Sequence, residues 1–225
     1  IRGVLFMAIA KKQYAVIGLG RFGASVAMSL QALGHEVLAV DLDEDRVKKL
    51  SDEVTHVVQA DSTDEASLSA LGLRNFDAVV VAIGGDIQAN VATTLLLKEL
   101  GGPFIIAKAQ NALHGKMLER IGADRVVFPE RDMGQRVAHS LVSANLLDYI
   151  ELSPDISLVE IAAPARFVGK TLIQTDLRAR YDINVVAIKR LEELLVPPQP
   201  DEVIRSEDIL IAVGATAGIQ RIALP

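Results

Sequence analysis

The sequence predicts an α/β protein in which a doubly wound parallel sheet is followed by a second, smaller α+β domain. The first observation behind this prediction is a regular alternation of apolar segments of strand length with amphipathic helical segments, up to about residue 148. The second is that the apolar segments are nearly continuous, as in strands that helices cover on both faces. The third is a change of pattern near Tyr149, where short apolar segments and prolines replace the alternation.

The first domain is expected to consist of strands and helices in strict alternation. The predicted strands are Tyr14–Ile17, Val37–Val40, His56–Gln59, Ala78–Ile83, Phe104–Ala107 and Arg125–Phe128. The predicted helices are Phe22–Leu33, Glu44–Leu50, Glu65–Leu71, Ile87–Leu100 and Ala112–Ile121. Glycines stand where several of these helices should end, and the strand–helix–strand connections of a parallel sheet are right-handed.

The second domain follows a longer helix, which is predicted from about Asp132 to Leu147. Beyond that helix we expect short strands, a small βαβ-like unit and a proline-rich surface loop at Pro197–Pro200. Its predicted elements are Leu158–Ile161, a helix near Thr175–Arg180, Asn184–Ile188 and Ile209–Val213. The predicted bounds are 12–133 for the first domain, 134–149 for a crossover helix and linker, and 150–225 for the second domain. A domain of roughly 75 residues is marginally stable alone, so pairing with another copy would stabilise it.

A G-x-G-x-x-G turn joins the first predicted strand to the first predicted helix, at Gly18, Gly20 and Gly23. Gly18 permits the tight turn, Gly20 lets a phosphate approach the backbone, and Gly23 lets the helix pack close to the sheet. The helix N-terminus offers free N–H groups and a partial positive charge to an anion. Asp41 ends the next strand and can accept hydrogen bonds from both ribose hydroxyls. These features predict a Rossmann-type nucleotide site; the alternative is a glycine-rich turn on a Rossmann-like sheet that binds nothing.

Composition argues against several other classes of protein. The net charge of −6 gives no electrostatic basis for nucleic-acid binding, and the absence of cysteine excludes disulfides and thiolate metal sites. The four histidines lack metal-ligand spacing, so each is expected to be a surface or packing residue. No nucleophile or short-chain dehydrogenase motif is present. A nucleotide site without a recognisable catalytic group favours a sensor, although a hydride-transfer site could lie in the second domain.

No apolar segment approaches the roughly 20 residues of a membrane-spanning helix. Residues 1–6 are apolar, precede Met7 and are too short for a signal peptide. We therefore expect Met7 to be the natural start and the protein to be cytoplasmic.

Several segments resemble the RCK proteins, which regulate potassium conductance, and among them the gating subunits of Ktr and Trk potassium-uptake systems. The most specific are the glycine turn at Gly18–Gly23 with Arg21 inside it, and Pro129–Gly134. The wider segments that carry the resemblance are Lys12–Asp45, Asn75–Gly84, Thr93–Leu100, Lys108–Asn111 and Ile121–Gly134. The similarity extends from residue 12 to about 220. It implies a Rossmann-like RCK N-lobe, a crossover helix and a smaller C-lobe.

The resemblance implies a regulatory, non-enzymatic role. RCK subunits of this kind bind ATP or ADP in the N-lobe, form homodimers that exchange their crossover helices, and close into an octameric ring. The ring controls a separate membrane potassium-translocating subunit from the cytoplasmic side. Many RCK relatives bind NAD, and Asp41 suits either ligand. An NAD(P)-dependent oxidoreductase or an NAD-binding Trk-type regulator is the alternative.

Each residue expected to contact the nucleotide could instead have a purely structural role. The resemblance implies that Arg21, which precedes Phe22 in the glycine turn, contacts the terminal phosphate. The alternative is that Arg21 is a solvated arginine at the start of the helix. Asp61 either contacts the adenosine or serves as a cap or turn residue. Lys108 ends the fifth strand, where ligands bind in open sheets, but it could equally face solvent. The resemblance implies that Glu130 helps to hold a divalent or monovalent cation near the terminal phosphate; alternatively it is a helix-start carboxylate that the dipole stabilises. Asp41, finally, could cap the next helix.

The C-lobe carries a second candidate site. In Ktr relatives a similar arginine, asparagine and proline line a cleft between two C-lobes that binds cyclic di-AMP, which implies this role for Arg178, Asn184 and Pro200. The arginine would bind phosphate and the asparagine would read an adenine edge. The apolar residues expected to cover the bases are Leu172, Ile173 and Leu177. The alternative is that Arg178 is a solvated helix residue and Asn184 a turn residue at the entry to the strand that follows.

Overall fold

The structure, a computed structural model, describes residues 10–142 and 145–223, without the side chains of His139 and Val142. The chain divides after Glu130 into two compact units, which are described separately below. Residues 1–6 and Met7 lie outside the described residues. Among the described residues, no helix combines the length and the apolar character that crossing a membrane requires.

The first unit is built on a six-stranded parallel sheet in the order β3-β2-β1-β4-β5-β6. Its strands are β1 (Gln13–Ile17), β2 (Glu36–Asp41), β3 (His56–Gln59), β4 (Ala78–Val81), β5 (Phe104–Lys108) and β6 (Arg125–Val127). The strand order reverses between β1 and β4, which lie side by side although two strands separate them in the chain. In open α/β sheets, such a reversal creates the crevice in which ligands bind.

Helices cover both faces of this sheet. They are α1 (Arg21–Ala32), α2 (Glu44–Leu50), α3 (Glu65–Ala70), α4 (Ile87–Glu99) and α5 (Ala112–Ile121), with a short 3-10 helix at Leu73–Asn75. On one face, Leu68, Leu97 and Leu118 of α3, α4 and α5 pack on the strands. On the other face, Ala27 of α1 and Leu50 of α2 do so. The two cores confirm the predicted doubly wound fold, because strands buried on both faces have no polar side to expose.

The second unit contains a five-stranded sheet in the order β10-β9-β11-β8-β7. Its elements, with the helix that leads into it, are α6 (Pro129–Val142), β7 (Leu146–Ser153), β8 (Ile156–Ala162), α7 (Leu172–Thr175), α8 (Leu177–Tyr181), β9 (Ile183–Arg190), β10 (Glu193–Leu195), β11 (Ile209–Ala215) and α9 (Thr216–Ala223), with a 3-10 helix at Ala165–Phe167. All pairs of neighbouring strands are antiparallel. The predicted βαβ-like unit is present in split form, because β11 lies between β8 and β9.

The predicted helix over 132–147 is wrong at both ends. Helix α6 begins at Pro129, where the fixed φ of proline suits a first helical turn, and it ends at Val142. Leu146 and Leu147 belong instead to β7, which pairs antiparallel with β8. Leu146 and Tyr149 are buried while Leu147 is exposed. Their spacing suits a helix as well as a strand, and pairing with β8 decides between the two.

Candidate functional site

The candidate site is a pocket of about 470 Å³ at the carboxyl ends of β1, β2, β4 and β5, where the strand order reverses. This volume lies within the range of small-molecule sites. The predicted residues that line it are Gly18, Gly20, Arg21, Phe22, Asp41, Asp61, Lys108 and Glu130. Gly23 lies behind the turn, against the sheet. One crevice thus brings together residues from five segments that are far apart in sequence: the glycine turn, the end of β2, the loop after β3, the end of β5 and the start of α6.

The glycine turn has the geometry that its three glycines predict. Gly18 has a φ of +94°, and a Cβ there would lie 2.8 Å from the nitrogen of Ile83. A Cβ on Gly23 would lie 1.8 Å from the carbonyl oxygen of Gly18. A Cβ on Gly20 would meet nothing within 4 Å. The outer glycines are therefore required by the fold, whereas Gly20 faces open space in the pocket.

The N-terminus of α1 opens into this pocket without a side-chain cap. Its N-cap residue is Gly20, and its first turn contains no acidic residue. The α-helices α2 to α5 are each capped by an Asp or Asn side chain that accepts a backbone N–H: Asp43 for α2, Asp64 for α3, Asp86 for α4 and Asn111 for α5. The partial positive charge of α1 is therefore available to an anion from outside the chain.

Asp41 lies at the end of β2 and is only 7% exposed. Its Oδ2 accepts the N–H of Leu19 at 2.5 Å, and its Oδ1 accepts the N–H of Asp43 at 2.9 Å. Nη1 of Arg46 lies 3.3 Å from Oδ2. The alternative that Asp41 caps α2 is wrong, because Asp43 does so. Asp41 is instead placed beside the glycine turn, at the edge of the pocket.

Lys108 and Glu130 form an ion pair in the pocket wall, with Nζ 2.5 Å from Oε1. The Lys108 side chain is 10% exposed and the Glu130 side chain 66%. The alternative of a solvent-facing Lys108 is therefore wrong, and its ammonium also lies 5.8 Å from the centre of the Phe22 ring. The hydrogen bond from Lys108 lowers the pKa of Glu130, and the charge of Arg21 adds to this effect. Arg21 itself is exposed at the start of α1.

Asp61 is a turn residue that also lines the pocket. Its Oδ1 accepts hydrogen bonds from the backbone N–H of Thr63 at 2.9 Å and from the Thr63 hydroxyl at 2.6 Å. The side chain is exposed, so its second oxygen can accept a further hydrogen bond.

Two further residues that were not predicted from the sequence, Asn90 and Gln110, support the pocket. Asn90 of α4 is fully buried, and its Nδ2 donates to the carbonyl oxygens of Ile83 at 2.7 Å and Lys108 at 3.1 Å. It therefore ties the ends of β4 and β5 together. Gln110 donates through Nε2 to the carbonyl oxygen of Gly84. No sequence pattern singles Asn90 out, because Thr93 and Thr94 are also buried polar residues of α4.

His114 is buried, and its Nδ1 accepts the N–H of Gln110 at 3.3 Å. Burial lowers the pKa of His114, which keeps the ring neutral at pH 7. Its role is to pack the loop after β5. Within the described parts of the chain, no group of three or more His, Cys, Asp or Glu side chains could hold a metal ion.

Comparison with known proteins identifies the family. Residues 14–129 match the TrkA-N domain, and residues 156–224 match the TrkA-C domain. The chain is 56% identical over 211 residues to Ktr system potassium uptake protein C of Bacillus subtilis, covering 94% of this chain and 96% of that protein. It is 48% identical over 213 residues to Ktr system potassium uptake protein A of the same organism, covering 95% and 96%. The chain belongs to the Ktr family of RCK potassium uptake proteins.

Solved structures agree with this assignment at the level of the fold. The GsuK channel matches with a TM-score of 0.70 at 19% identity, over 96% of this chain and 40% of the channel chain. The chain thus spans less than half the length of that channel protein. The NAD(P)-binding domain of an exopolyphosphatase-related protein from Archaeoglobus fulgidus matches with a TM-score of 0.53 at 28% identity, over 59% of this chain and 98% of that domain.

In this RCK chain the predicted C-lobe residues lie at the surface of the second unit. Arg178 on α8, Asn184 in β9 and Pro200 are all exposed. The carbonyl oxygen of Pro200 accepts the N–H of Ile173 at 3.0 Å, so the proline loop is held against α7. Asn184 lies within β9 and pairs with Val213, so the alternative of a turn residue is wrong.

The apolar residues of the C-lobe site divide into two groups. Ile173 is 67% exposed and is free to contact a ligand. Leu177 is 4% exposed and lies in the core of the second unit, and Leu172 packs against that core. The expectation that Leu177 covers a base is therefore wrong, because α8 turns this side chain inward.

Proposed function

We propose that this chain is the nucleotide-responsive gating subunit of a bacterial potassium uptake system, with a regulatory rather than an enzymatic role. Support comes from its similarity to Ktr potassium uptake proteins over nearly their whole length. The observation that carries the nucleotide part is the convergence, in one pocket, of the uncapped α1 N-terminus with Arg21 and the Lys108–Glu130 pair. An anion-binding helix end beside two cations suits a polyphosphate.

The proposed ligand is ATP or ADP. The ribose would lie beside Asp41 and the adenosine near Asp61, with the phosphates at the start of α1. Arg21 is exposed and can swing toward a terminal phosphate, where its planar fork makes paired hydrogen bonds. ATP carries one more phosphate than ADP, so Arg21 would distinguish the two.

A cation near the terminal phosphate is part of this proposal, with Glu130 as its protein ligand. Glu130 already pairs with Lys108, and the described residues offer no set of three acidic or imidazole groups around it. The phosphate oxygens would therefore contribute most of the coordination, as they do for Mg²⁺ in many nucleotide sites. The cation would neutralise charge between Glu130 and the phosphates.

Exposed apolar side chains on α6 support an assembly. Met133, Val137 and Leu141 are spaced four residues apart on one face of this helix, and all are exposed. Leu95 of α4 is also exposed, whereas Leu97 packs on its own sheet. We propose that a homodimer exchanges α6 and that dimers close into an octameric ring, at the cytoplasmic face of a membrane potassium-translocating partner. Light scattering at micromolar concentration tests this assembly, and a monomeric mass would contradict it.

A second ligand, cyclic di-AMP, is proposed for the C-lobe. Arg178, Asn184, Pro200 and Ile173 are exposed on the same unit and offer a guanidinium, an amide and apolar surface. Calorimetry should give binding to the wild type below about 100 μM and a clear loss in Arg178→Ala. Failure of the wild type to bind at that concentration would contradict the C-lobe proposal and leave the N-lobe proposal standing.

The alternative is an NAD-binding regulator or an NAD(P)-dependent oxidoreductase. One observation favours it: the 28% identity of the N-lobe to the NAD(P)-binding domain described above. Calorimetry with ATP, ADP and NADH separates the two proposals, because ours requires ATP and ADP to bind well below millimolar concentration. Tight NADH binding without ATP binding would favour the alternative. Nicotinamide reduction with common alcohols and hydroxy acids should then be measured, and our proposal expects no turnover.

A further inference from the structure

We infer that Asp41 also positions the glycine turn, so that one carboxylate couples recognition of the ribose to binding of the phosphates. This inference rests on the proposed nucleotide function. Its basis is the 2.5 Å hydrogen bond from the N–H of Leu19 to Oδ2 of Asp41. Leu19 lies between Gly18 and Gly20, so the carboxylate holds the turn itself.

The turn is fastened to the end of β2 at two successive residues. The N–H of Gly18 donates to the carbonyl oxygen of Val40 at 2.7 Å, and the N–H of Leu19 donates to Asp41. The first bond joins two backbone groups and survives any substitution at position 41. The second depends entirely on the Asp41 side chain. A change there therefore alters how the peptide between Gly18 and Leu19 is held.

This peptide leads directly into the phosphate-binding end of α1. Gly20, the next residue, is the N-cap of that helix and has no side chain to stabilise its start. Leu19 is buried, so its N–H is shielded from water. Removing the Asp41 carboxylate would therefore leave this N–H without its hydrogen-bond acceptor. The turn would then shift to satisfy it, and the free N–H groups at the start of α1 would move with the turn. Phosphate binding depends on the direction of those groups.

The carboxylate has room for the ribose as well. An ionised carboxylate offers about four acceptor positions. Three are used in the structure, by the N–H groups of Leu19 and Asp43 and by Nη1 of Arg46. A ribose hydroxyl can take the remaining one or displace Arg46, which is half exposed. Ribose and turn would then share one buried charge.

The test compares ATP with 2′,3′-dideoxy-ATP, which keeps the phosphates and lacks both ribose hydroxyls. Affinities are measured by calorimetry for the full-length wild type, Asp41→Ala and Asp41→Asn. If Asp41 positions the turn, Asp41→Ala should lower the affinity for dideoxy-ATP by about tenfold, equivalent to about 1.4 kcal/mol of binding free energy. Asp41→Asn keeps the shape of the side chain and therefore controls for misfolding of the Ala variant. Its amide has only one acceptor oxygen for two N–H groups, so we expect this variant also to bind dideoxy-ATP more weakly.

Asp43→Ala is the matched control, because Asp43 is a neighbouring carboxylate whose side chain caps α2 rather than holding the glycine turn. It should leave dideoxy-ATP affinity within twofold of the wild type. Unchanged dideoxy-ATP affinity in both Asp41 variants, with weaker ATP binding, would overturn the inference and leave Asp41 as a ribose ligand only. A wild type that binds no ATP would instead contradict the proposed function.

A second measurement tests the inference without any nucleotide. Amide hydrogen exchange in the ligand-free protein reports directly on the N–H of Leu19. We expect exchange in the peptide containing residues 18–23 to accelerate at least tenfold in both Asp41 variants and to stay unchanged in Asp43→Ala. Equal exchange in the wild type and the Asp41 variants would overturn the positioning role.

Discussion

The ammonium nitrogen of Lys108 lies 2.5 Å from Oε1 of Glu130, and this contact joins the end of β5 to the first turn of α6. Lys108 is nearly buried and Glu130 is mostly exposed, so the lysine depends on the glutamate more than the reverse. A polyphosphate in the pocket would offer Lys108 a second anionic partner. In the proposed nucleotide complex, the pair would therefore connect the charge of the phosphates to the first turn of α6.

Lys108→Met should weaken ATP binding by about tenfold to a hundredfold, as expected for the loss of a charge-assisted hydrogen bond of about 1.5–3 kcal/mol. Adenosine lacks phosphate, so its affinity should not change. The pKa of Glu130 should rise toward its ordinary value, because the hydrogen bond that lowers it is gone. Calorimetry with both ligands checks this, with exposed Lys116→Met as the control. Equal losses for ATP and adenosine would contradict a phosphate contact.

Arg21→Ala should weaken ATP more than ADP, because Arg21 is proposed to contact the terminal phosphate. Arg120→Ala, an exposed arginine at the end of α5, serves as the control and should change neither affinity. The measurement is calorimetric titration of both nucleotides. If Arg21→Ala weakened the two equally, the assignment of Arg21 would have to be abandoned.

Two glycines of the turn should respond differently to the same substitution. Gly23→Ala would place a Cβ 1.8 Å from the Gly18 oxygen, so we expect the N-lobe to lose most of its stability. Gly20→Ala meets no protein atom within 4 Å, so stability should fall by no more than about 1 kcal/mol. ATP affinity should nevertheless fall sharply, because the added methyl group occupies space that the phosphates need. Thermal unfolding with calorimetry checks both, and undiminished ATP binding by Gly20→Ala would be incompatible with phosphates at this turn.

A buried ion pair joins the end of β9 to the residues just before β11 in the C-lobe. Asp208 is 1% exposed and accepts two hydrogen bonds from Arg190, at 2.8 and 2.9 Å. Asp208→Asn removes one charge and leaves the buried Arg190 with Glu202, at 2.8 Å, as its remaining carboxylate partner. The loss of two charge-assisted hydrogen bonds should cost about 1–3 kcal/mol of unfolding free energy. Asp201→Asn, at an exposed position between β10 and β11, should change the unfolding free energy by less than about 0.5 kcal/mol. Urea denaturation at pH 7 gives both values.

The Asp208–Arg190 pair should also make the stability of the C-lobe depend on pH. Burial acts to raise the pKa of Asp208, but hydrogen bonds from Arg190 and from the N–H of Arg205 outweigh it, so the pKa is lowered. A carboxyl whose pKa is lower in the folded state stabilises the fold above its unfolded pKa of about 3.9. That contribution is lost as the pH falls through the folded pKa. The difference in unfolding free energy between the wild type and Asp208→Asn should therefore shrink below about pH 4. A difference that stays constant with pH would contradict a lowered pKa for Asp208.

The N-lobe could be predicted from sequence because its local signals and its tertiary structure agree. The predicted first helix, for example, differs by one residue at each end from α1. Its strands are buried on both faces, so their apolar segments are continuous and distinct from the helices. The C-lobe was harder, because β7 carries Leu146, Leu147 and Tyr149 at spacings that a helix also allows. Only the pairing with β8 fixes that segment as a strand.

Most of the predicted nucleotide-contacting residues could be placed at one edge of the sheet from the sequence, but their contacts with one another could not. Lys108 and Glu130 could each be placed near the pocket from the ends of their strands. Their pairing depends on β5 and β6 being neighbours, which no local pattern encodes. The bond from Leu19 to Asp41 likewise depends on the parallel register of β1 and β2. Such contacts are properties of the folded sheet.

Potassium or rubidium uptake into proteoliposomes that contain the membrane potassium-translocating subunit tests the central claim most directly. Uptake is measured without the chain, with the chain and ATP, and with the chain and ADP. The proposed function predicts that uptake depends on the chain and is faster with ATP than with ADP, and that Gly20→Ala abolishes the difference. Identical uptake with and without the chain, or with either nucleotide, would contradict a nucleotide-responsive gating subunit.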